Sequence, residues 1–116
     1  MYKVTLPWPP TVNTYYTVAR GRKILSSKGR NYKKACAIIL SQNKGYIDGA
    51  IGVFIEAHYP DRRKRDLDNI LKPVLDALTD GGIYNDDSQI EALGIRKSDY
   101  GEKGTIIVTV KELENV

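Results

Sequence analysis

Apolar residues recur at every second position from Ile51 to Tyr59. Ile51, Val53, Ile55, Ala57 and Tyr59 share one side, and Glu56 and His58 point the other way. A period of two predicts a strand with one buried face, and Pro60 closes it. Tyr2 to Leu6 reads as an earlier strand with Val4 and Leu6 together. The Pro7-Trp8-Pro9-Pro10 run ends it, because proline removes ladder donors. Short strands are expected at Thr14 to Val18 and at Lys23 to Leu25, connected around Gly21. Gln89 to Lys97 and Thr105 to Leu113 read as two more, joined by a polar connection from Asp99 to Gly104. Ile106, Val108 and Val110 form an alternating face in the second, and Gly94 is the expected bulge in the first.

Two stretches change to the helical period. Ser26 or Ser27 caps a helix running to about Asn43, with Tyr32, Ala35, Cys36, Ile39 and Leu40 as its apolar stripe. Leu67, Ile70, Leu71, Val74, Leu75 and Leu78 repeat in the same way, and Asp80, Gly81 and Gly82 stop that helix. Pro73 fits it only if regular helix begins near Asn69. The order of strands, helix, strand, helix, strands predicts an α+β fold: a single small domain spanning 1–116, with a mixed β-sheet and two main helices packed on it.

Composition narrows the class only a little. The 116 residues suit one domain, and Lys and Arg outnumber Asp and Glu by 18 to 14, for a net charge of +4. That excess hints at a polyanionic partner. The single cysteine, Cys36, forbids an internal disulfide and suits a reducing compartment. No membrane span or signal peptide is evident, so the expected location is the cytoplasm.

The chemistry is concentrated between Asp61 and Asp87. Arg62, Arg63, Lys64 and Arg65 run directly into Asp66, Leu67, Asp68 and Asn69; Lys72 follows, and Asp86 and Asp87 lie beyond the Gly81-Gly82 turn. A twelve-residue helix is about 18 Å long. Seven extended residues can return about 23 Å. The chain therefore has the reach to bring Asp87 back beside Asp66 and Asp68. Three converging carboxylates repel one another unless a cation lies between them. A hard divalent ion such as Mg²⁺ would fill that role and activate water beside a phosphodiester. The basic run would hold phosphates next to it. Lys72 would hold the attacking water or offset transition-state charge.

Plainer readings stand beside these. Asp66 and Asp68 suit a helix N-terminus, and either Asp86 or Asp87 suits a turn. Lys72 and Asp76 suit an i,i+4 ion pair, which is the reading taken for Asp76. His58 reads as a strand residue with a local hydrogen bond, and Cys36 as core. An EF-hand is excluded, since its sixth and twelfth positions counted from Asp66 are Leu71 and Ala77.

The stretch PDRRKRDLDNILKPVLDALTDGGIYNDDSQI, together with the opening TLPWPPTVNTYY, resembles the RusA family of Holliday junction endodeoxyribonucleases. The resemblance runs through most of the chain, and DLDN and NDD are its most specific parts. It implies a homodimer making paired symmetric nicks in four-way DNA during recombination and repair, with Mg²⁺ as cofactor, Mn²⁺ as a substitute and no organic cofactor. It also implies Asp66, Asp68 and Asp87 as metal ligands and catalytic carboxylates, and Lys72 as a catalytic lysine. Asn13 and Arg65 match positions tied to the site or to DNA, beside Arg62, Arg63 and Lys64. The rival readings are a non-catalytic branched-DNA-binding module, a metal-dependent nuclease of other specificity, and a small-molecule phosphohydrolase.

Overall fold

The computed structural model describes residues 1–101 and 103–113. Glu102, within the expected 99–104 connection, and residues 114–116 lie outside the described residues. The elements in order are β1 (Tyr2–Pro7), α1 (Val12–Tyr15), β2 (Tyr16–Ala19), β3 (Arg22–Leu25), α2 (Ser27–Gln42) and β4 (Ile51–His58). A 3-10 turn (Leu67–Ile70), α3 (Leu71–Asp80), a second 3-10 turn (Asp87–Gln89), β5 (Ile90–Ser98) and β6 (Thr105–Glu112) complete the fold.

The main sheet has the order β1-β6-β4-β5. β6 is antiparallel to β1 and to β4, whereas β4 and β5 are parallel. The sheet is mixed, as the hydrophobic pattern predicts. A parallel pair cannot be joined by a tight turn, so the chain between β4 and β5 must cross over. That crossover holds α3, both 3-10 turns and nearly all of the candidate chemistry.

One sheet face makes the core. Val53, Ile55 and Ala57 of β4 and Ile106, Val108 and Val110 of β6 are buried there. Tyr32, Cys36 and Leu40 of α2 and Val74, Ala77 and Leu78 of α3 cover them. Burial pushes the Cys36 thiol up to about 11, as an inert core position requires. Lys33 and Asp80 pair at 2.6 Å between α2 and α3. At Gly81 the Leu40 side chain occupies the space that a Cβ would need.

The Ser26 side chain caps α2, accepting from the Gly29 N–H at 3.0 Å. The Ser26 hydroxyl also donates to the Thr14 carbonyl at 2.5 Å. A Cβ on Gly29 would collide with the Tyr15 carbonyl, so glycine lets α1 approach α2.

Three local expectations need correction. Thr14 and Tyr15 are helical in α1, and the strand begins at Tyr16. Ala35 is exposed, so the stripe of α2 is carried by Tyr32, Cys36 and Leu40 with Ile39 half-buried. Gly94 is no bulge: the register shift falls opposite Ile51 and Gly52, which pair with Ile90 and Ala92. Gly94 instead admits the Phe54 ring, whose Cδ1 would lie 3.1 Å from an added Cβ. Pro73 causes no break because it sits in the first turn of α3, where backbone N–H groups have no intrahelical acceptor.

β2 and β3 form a separate two-stranded ribbon, with Tyr16 opposite Leu25 and Ala19 opposite Arg22. Its two-residue turn has positive φ at both Arg20 (52°) and Gly21 (74°), the geometry that matches the twist of a hairpin.

Candidate active site

The basic run begins with a brace. Arg65 Nη1 and Nη2 donate to the two Asp61 carboxylate oxygens at 2.5 and 3.0 Å. The Arg63 N–H donates to the same carboxylate at 2.9 Å. These bonds hold the Asp61 carboxyl well below the usual range, the Arg65 hydrogen bond being the largest cause. The Arg65 guanidinium also lies 5.8 Å from the ring centres of Trp8 and Tyr59, and those rings meet edge to face at 5.2 Å. Arg65 is thus half-buried and engaged, while Arg62, Arg63 and Lys64 are exposed.

This braced loop walls an open cleft of about 560 Å³, lined by the four cations of the run together with Asp66, Asn69 and Lys97. Lys97 is not picked out by the sequence pattern. It reaches the cleft from the end of β5 and lies 4.9 Å from the Tyr59 ring centre and 5.2 Å from that of Tyr100. Tyr100 also faces Arg62 at 5.2 Å. The only signal in the sequence is a basic residue near a strand end.

Asp66 precedes the first 3-10 turn in extended conformation and makes no side-chain cap. Asp68 lies in that turn and is exposed. Both carboxylates are accessible to a ligand from solvent. Asn13 is exposed on α1.

The polar groups along α3 are more tightly held. Lys72 pairs with Asp76 at 3.0 Å. Asp76 also accepts from the Tyr15 hydroxyl at 3.0 Å, and Tyr15 is fully buried. The hydrogen bond to Asp76 raises the Lys72 pKa, and the charges of Asp76 and Asp87 add to it. Asp87 accepts from Thr79 Oγ1 at 2.6 Å and from the Tyr84 hydroxyl at 3.2 Å through one carboxylate oxygen. The other oxygen is left for another partner. Asp86 serves the backbone instead. It caps the second 3-10 turn by accepting from the Ser88 backbone N–H and hydroxyl, and Gln89 completes a capping box. Asp76, Thr79, Tyr84 and Tyr15 hold this part of the site in place, although the sequence pattern singles out none of them for it. Only the i,i+4 spacing of Lys72 and Asp76 is visible there.

The expected convergence of three carboxylates is not reached within one chain. Among the described residues, no three His, Cys, Asp or Glu side chains stand close enough to hold a metal ion. Topology gives the reason. Asp66 follows the end of β4 and Asp87 precedes the start of β5, and in a parallel pair these are opposite strand ends. The residues after α3 do not spend their reach running back along the helix. They dock Asp87 on Thr79, in the helix's last turn. The donor set suits a hard cation in its chemistry, but its spacing in the single chain does not.

His58 lies apart from this cluster. Its Nδ1 is 2.8 Å from the Asp99 carbonyl, just past the end of the paired strand β5, so its hydrogen bond is made across the sheet rather than locally. No helix among the described residues is long and apolar enough to cross a membrane.

Comparison with known proteins then supplies a family. Residues 7–111 match the family described as "Endodeoxyribonuclease RusA". The chain is 40% identical over 116 residues to the crossover junction endodeoxyribonuclease RusA of Escherichia coli, covering 98% of this chain and 97% of the relative. The corresponding protein of Enterobacteria phage 82 is also 40% identical with the same coverage, and that of Shigella sonnei is 39% identical.

Proposed function

The chain belongs to the RusA family of endodeoxyribonucleases, and from that premise we propose that it resolves four-way DNA junctions by paired cuts in the phosphodiester backbone. The observation that carries this reading is a basic cleft with Asp66 on its wall, built from the same crossover that carries the Lys72–Asp76 pair. Exposed cations there neutralise backbone phosphates and release their counterions. Lys72, held by Asp76, presents a fixed positive charge to a phosphate as negative charge builds on its oxygens. Arg65 and Asp61 set the shape of the loop, and Arg62, Arg63, Lys64 and Lys97 face the DNA. Asn13 is assigned to the DNA-facing side from the resemblance.

Mg²⁺, replaceable by Mn²⁺, is the cofactor this reading requires; Asp66, Asp68 and Asp87, which stand apart in the single chain, are its proposed ligands once DNA or a second protomer draws them together. When bound, such an ion supplies Lewis-acid stabilisation and a nucleophile at neutral pH. A homodimer supplies two sites for the two-fold symmetry of the junction. Cytoplasmic action and the absence of an organic cofactor complete the proposal.

The deciding experiment incubates the purified protein with a synthetic four-way junction and with a linear duplex, with and without Mg²⁺, and maps the nicks. Symmetric nicks near the crossover, seen only with the metal and only in the junction, are the expected result. Equal cutting of both substrates would assign a nuclease of other specificity. Binding without cutting would assign a junction-binding module.

A further inference from the structure

The β2–β3 ribbon takes no part in the site described above, yet its composition is one-sided. Residues 16–25 read YTVARGRKIL, with three cations and no acid. The asymmetry is wider than the ribbon. Asp48 is the first acidic residue of the chain, and nine of the 18 Lys and Arg precede it. Two of those nine have structural duties: Arg30 donates to the Leu25 carbonyl, and Lys33 pairs with Asp80. Arg20 and Arg22 are exposed and have no acidic partner among the described residues.

The ribbon's turn places an arginine where the backbone disfavours it. Arg20 has φ of 52°, a region favoured by glycine and asparagine and costly for other side chains. An asparagine there would fold the same turn with less strain. The ribbon also exposes Val18 at 73% and Ile24 at 41%, unusual for a small element with no core of its own. Its root is rigid. Tyr15, immediately before β2, donates to Asp76, the carboxylate that holds Lys72. Tyr16 packs edge to face on Tyr15 at 4.9 Å.

We propose that this ribbon is a second DNA-binding element that lies in the major groove of a duplex arm while the scissile strand occupies the crossover site. Four-residue strands are about 13 Å long. The major groove is about 12 Å wide and 8.5 Å deep and admits a two-stranded ribbon. Arg20 and Arg22 at the tip reach the phosphates lining the groove, and Ile24, on the same ribbon face as Arg22, supplies apolar contact to base edges. Because the root is bonded to Asp76, an arm seated on the ribbon is held in a fixed relation to Lys72. This role rests on DNA being the substrate, but not on the junction being cut.

The test uses the full chain with fluorescent linear duplex and four-way junction. Anisotropy is read across a salt series, and dimethyl sulfate probes guanine N7 in the major groove. The triple change Arg20→Ala, Arg22→Ala, Lys23→Ala is expected to weaken binding by about tenfold or more. It should make the salt slope shallower by roughly 2–3, near 0.9 per lost phosphate contact. N7 protection in the arms should disappear. The single change Arg20→Asn separates a DNA role from a structural one. Affinity is expected to fall about threefold, at one contact's share of the salt slope, while the melting temperature holds or rises by about 2–4 °C. Unchanged affinity and slope in the triple variant, or N7 protection that survives it, overturns the proposal. A parallel fall of melting temperature and affinity in Arg20→Asn also overturns it. Loss of binding in the ribbon variants with no nicking by the unaltered protein would sink the resolvase reading and leave this one standing.

Discussion

The two halves of the β4–β5 crossover are built differently. Along α3 and after it, every candidate polar side chain has a fixed partner: Lys72 on Asp76, Asp76 on Tyr15, Asp87 on Thr79 and Tyr84. In the loop entering the crossover the fixed contacts gather on Asp61, held by Arg65 and Arg63, and none of them involves Asp66 or Asp68. Asp66 and Asp68 sit uncapped and accessible on a single 3-10 turn. The α3 half is preorganised by the protein's own hydrogen bonds. The entry half is left for a ligand to organise, as exposed carboxylates beside a basic cleft would be if DNA and a cation completed them.

The sharpest way to break this contrast compares two substitutions that look alike in sequence. Asp68→Asn and Asp87→Asn are each expected to cut junctions about a thousandfold or more slower, with junction affinity within about twofold. Their stabilities should part. Asp68→Asn should change stability by no more than about 0.5 kcal/mol, as for an exposed residue. Asp87→Asn weakens two hydrogen bonds and should cost about 1–2 kcal/mol in a denaturant titration. Equal stability losses would mean the two halves are not differently built. Mg²⁺-supported cleavage surviving Asp68→Asn would remove that residue from the site.

Asp76→Ala comes next. It strands the buried Tyr15 hydroxyl and frees Lys72, so unfolding should become easier by about 1–3 kcal/mol. Recovery on adding Tyr15→Phe would locate the cost in the orphaned hydroxyl. On the loose side, Arg62→Ala with Arg63→Ala should leave stability within about 0.5 kcal/mol and make the salt dependence of binding shallower by roughly 1–2. An unchanged slope would mean these cations face away from DNA.

The smallest effect concerns pH. Asp61 is depressed in the folded state, so its contribution is present above the ordinary aspartate value of about 3.9 and is lost only as pH falls through the lower folded value. Arg65 packs on Trp8, the one tryptophan. Tryptophan fluorescence should therefore stay flat from pH 8 to about 4 and change below that. A transition near pH 6 would show that something else governs the brace.

Much of the fold is legible in the sequence. The strands β4 and β6 are clear because one face of each is buried, so the alternation of Ile51 to Tyr59 and Ile106 to Val110 is forced. The Ser26 cap and the end of α2 near Asn43 are clear because local backbone bonding fixes them. Places where tertiary contact decides are not legible. Thr14 and Tyr15 have strand-like composition but turn helical to bring Tyr15 under Asp76. Gly94 reads as a bulge because the Phe54 ring that needs the space lies on another strand. Of the candidate site, the basic run and the acidic positions stand out, but not their arrangement. Chain length bounds where Asp87 could go without deciding where it goes. Thr79 and Tyr84 take hold of it near the far end of α3, and no local pattern announces that.

The strand order carries a consequence for biosynthesis. β6 sits between β1 and β4 and is the last strand among the described residues. Until residues 105–112 emerge from the ribosome, the first strand has no neighbour to pair with and the core face of β4 lacks its adjoining strand. Folding must therefore wait for contacts between distant parts of the chain. A copy ending before residue 105 lacks the strand that joins β1 to β4, so its sheet is split and it is expected not to fold.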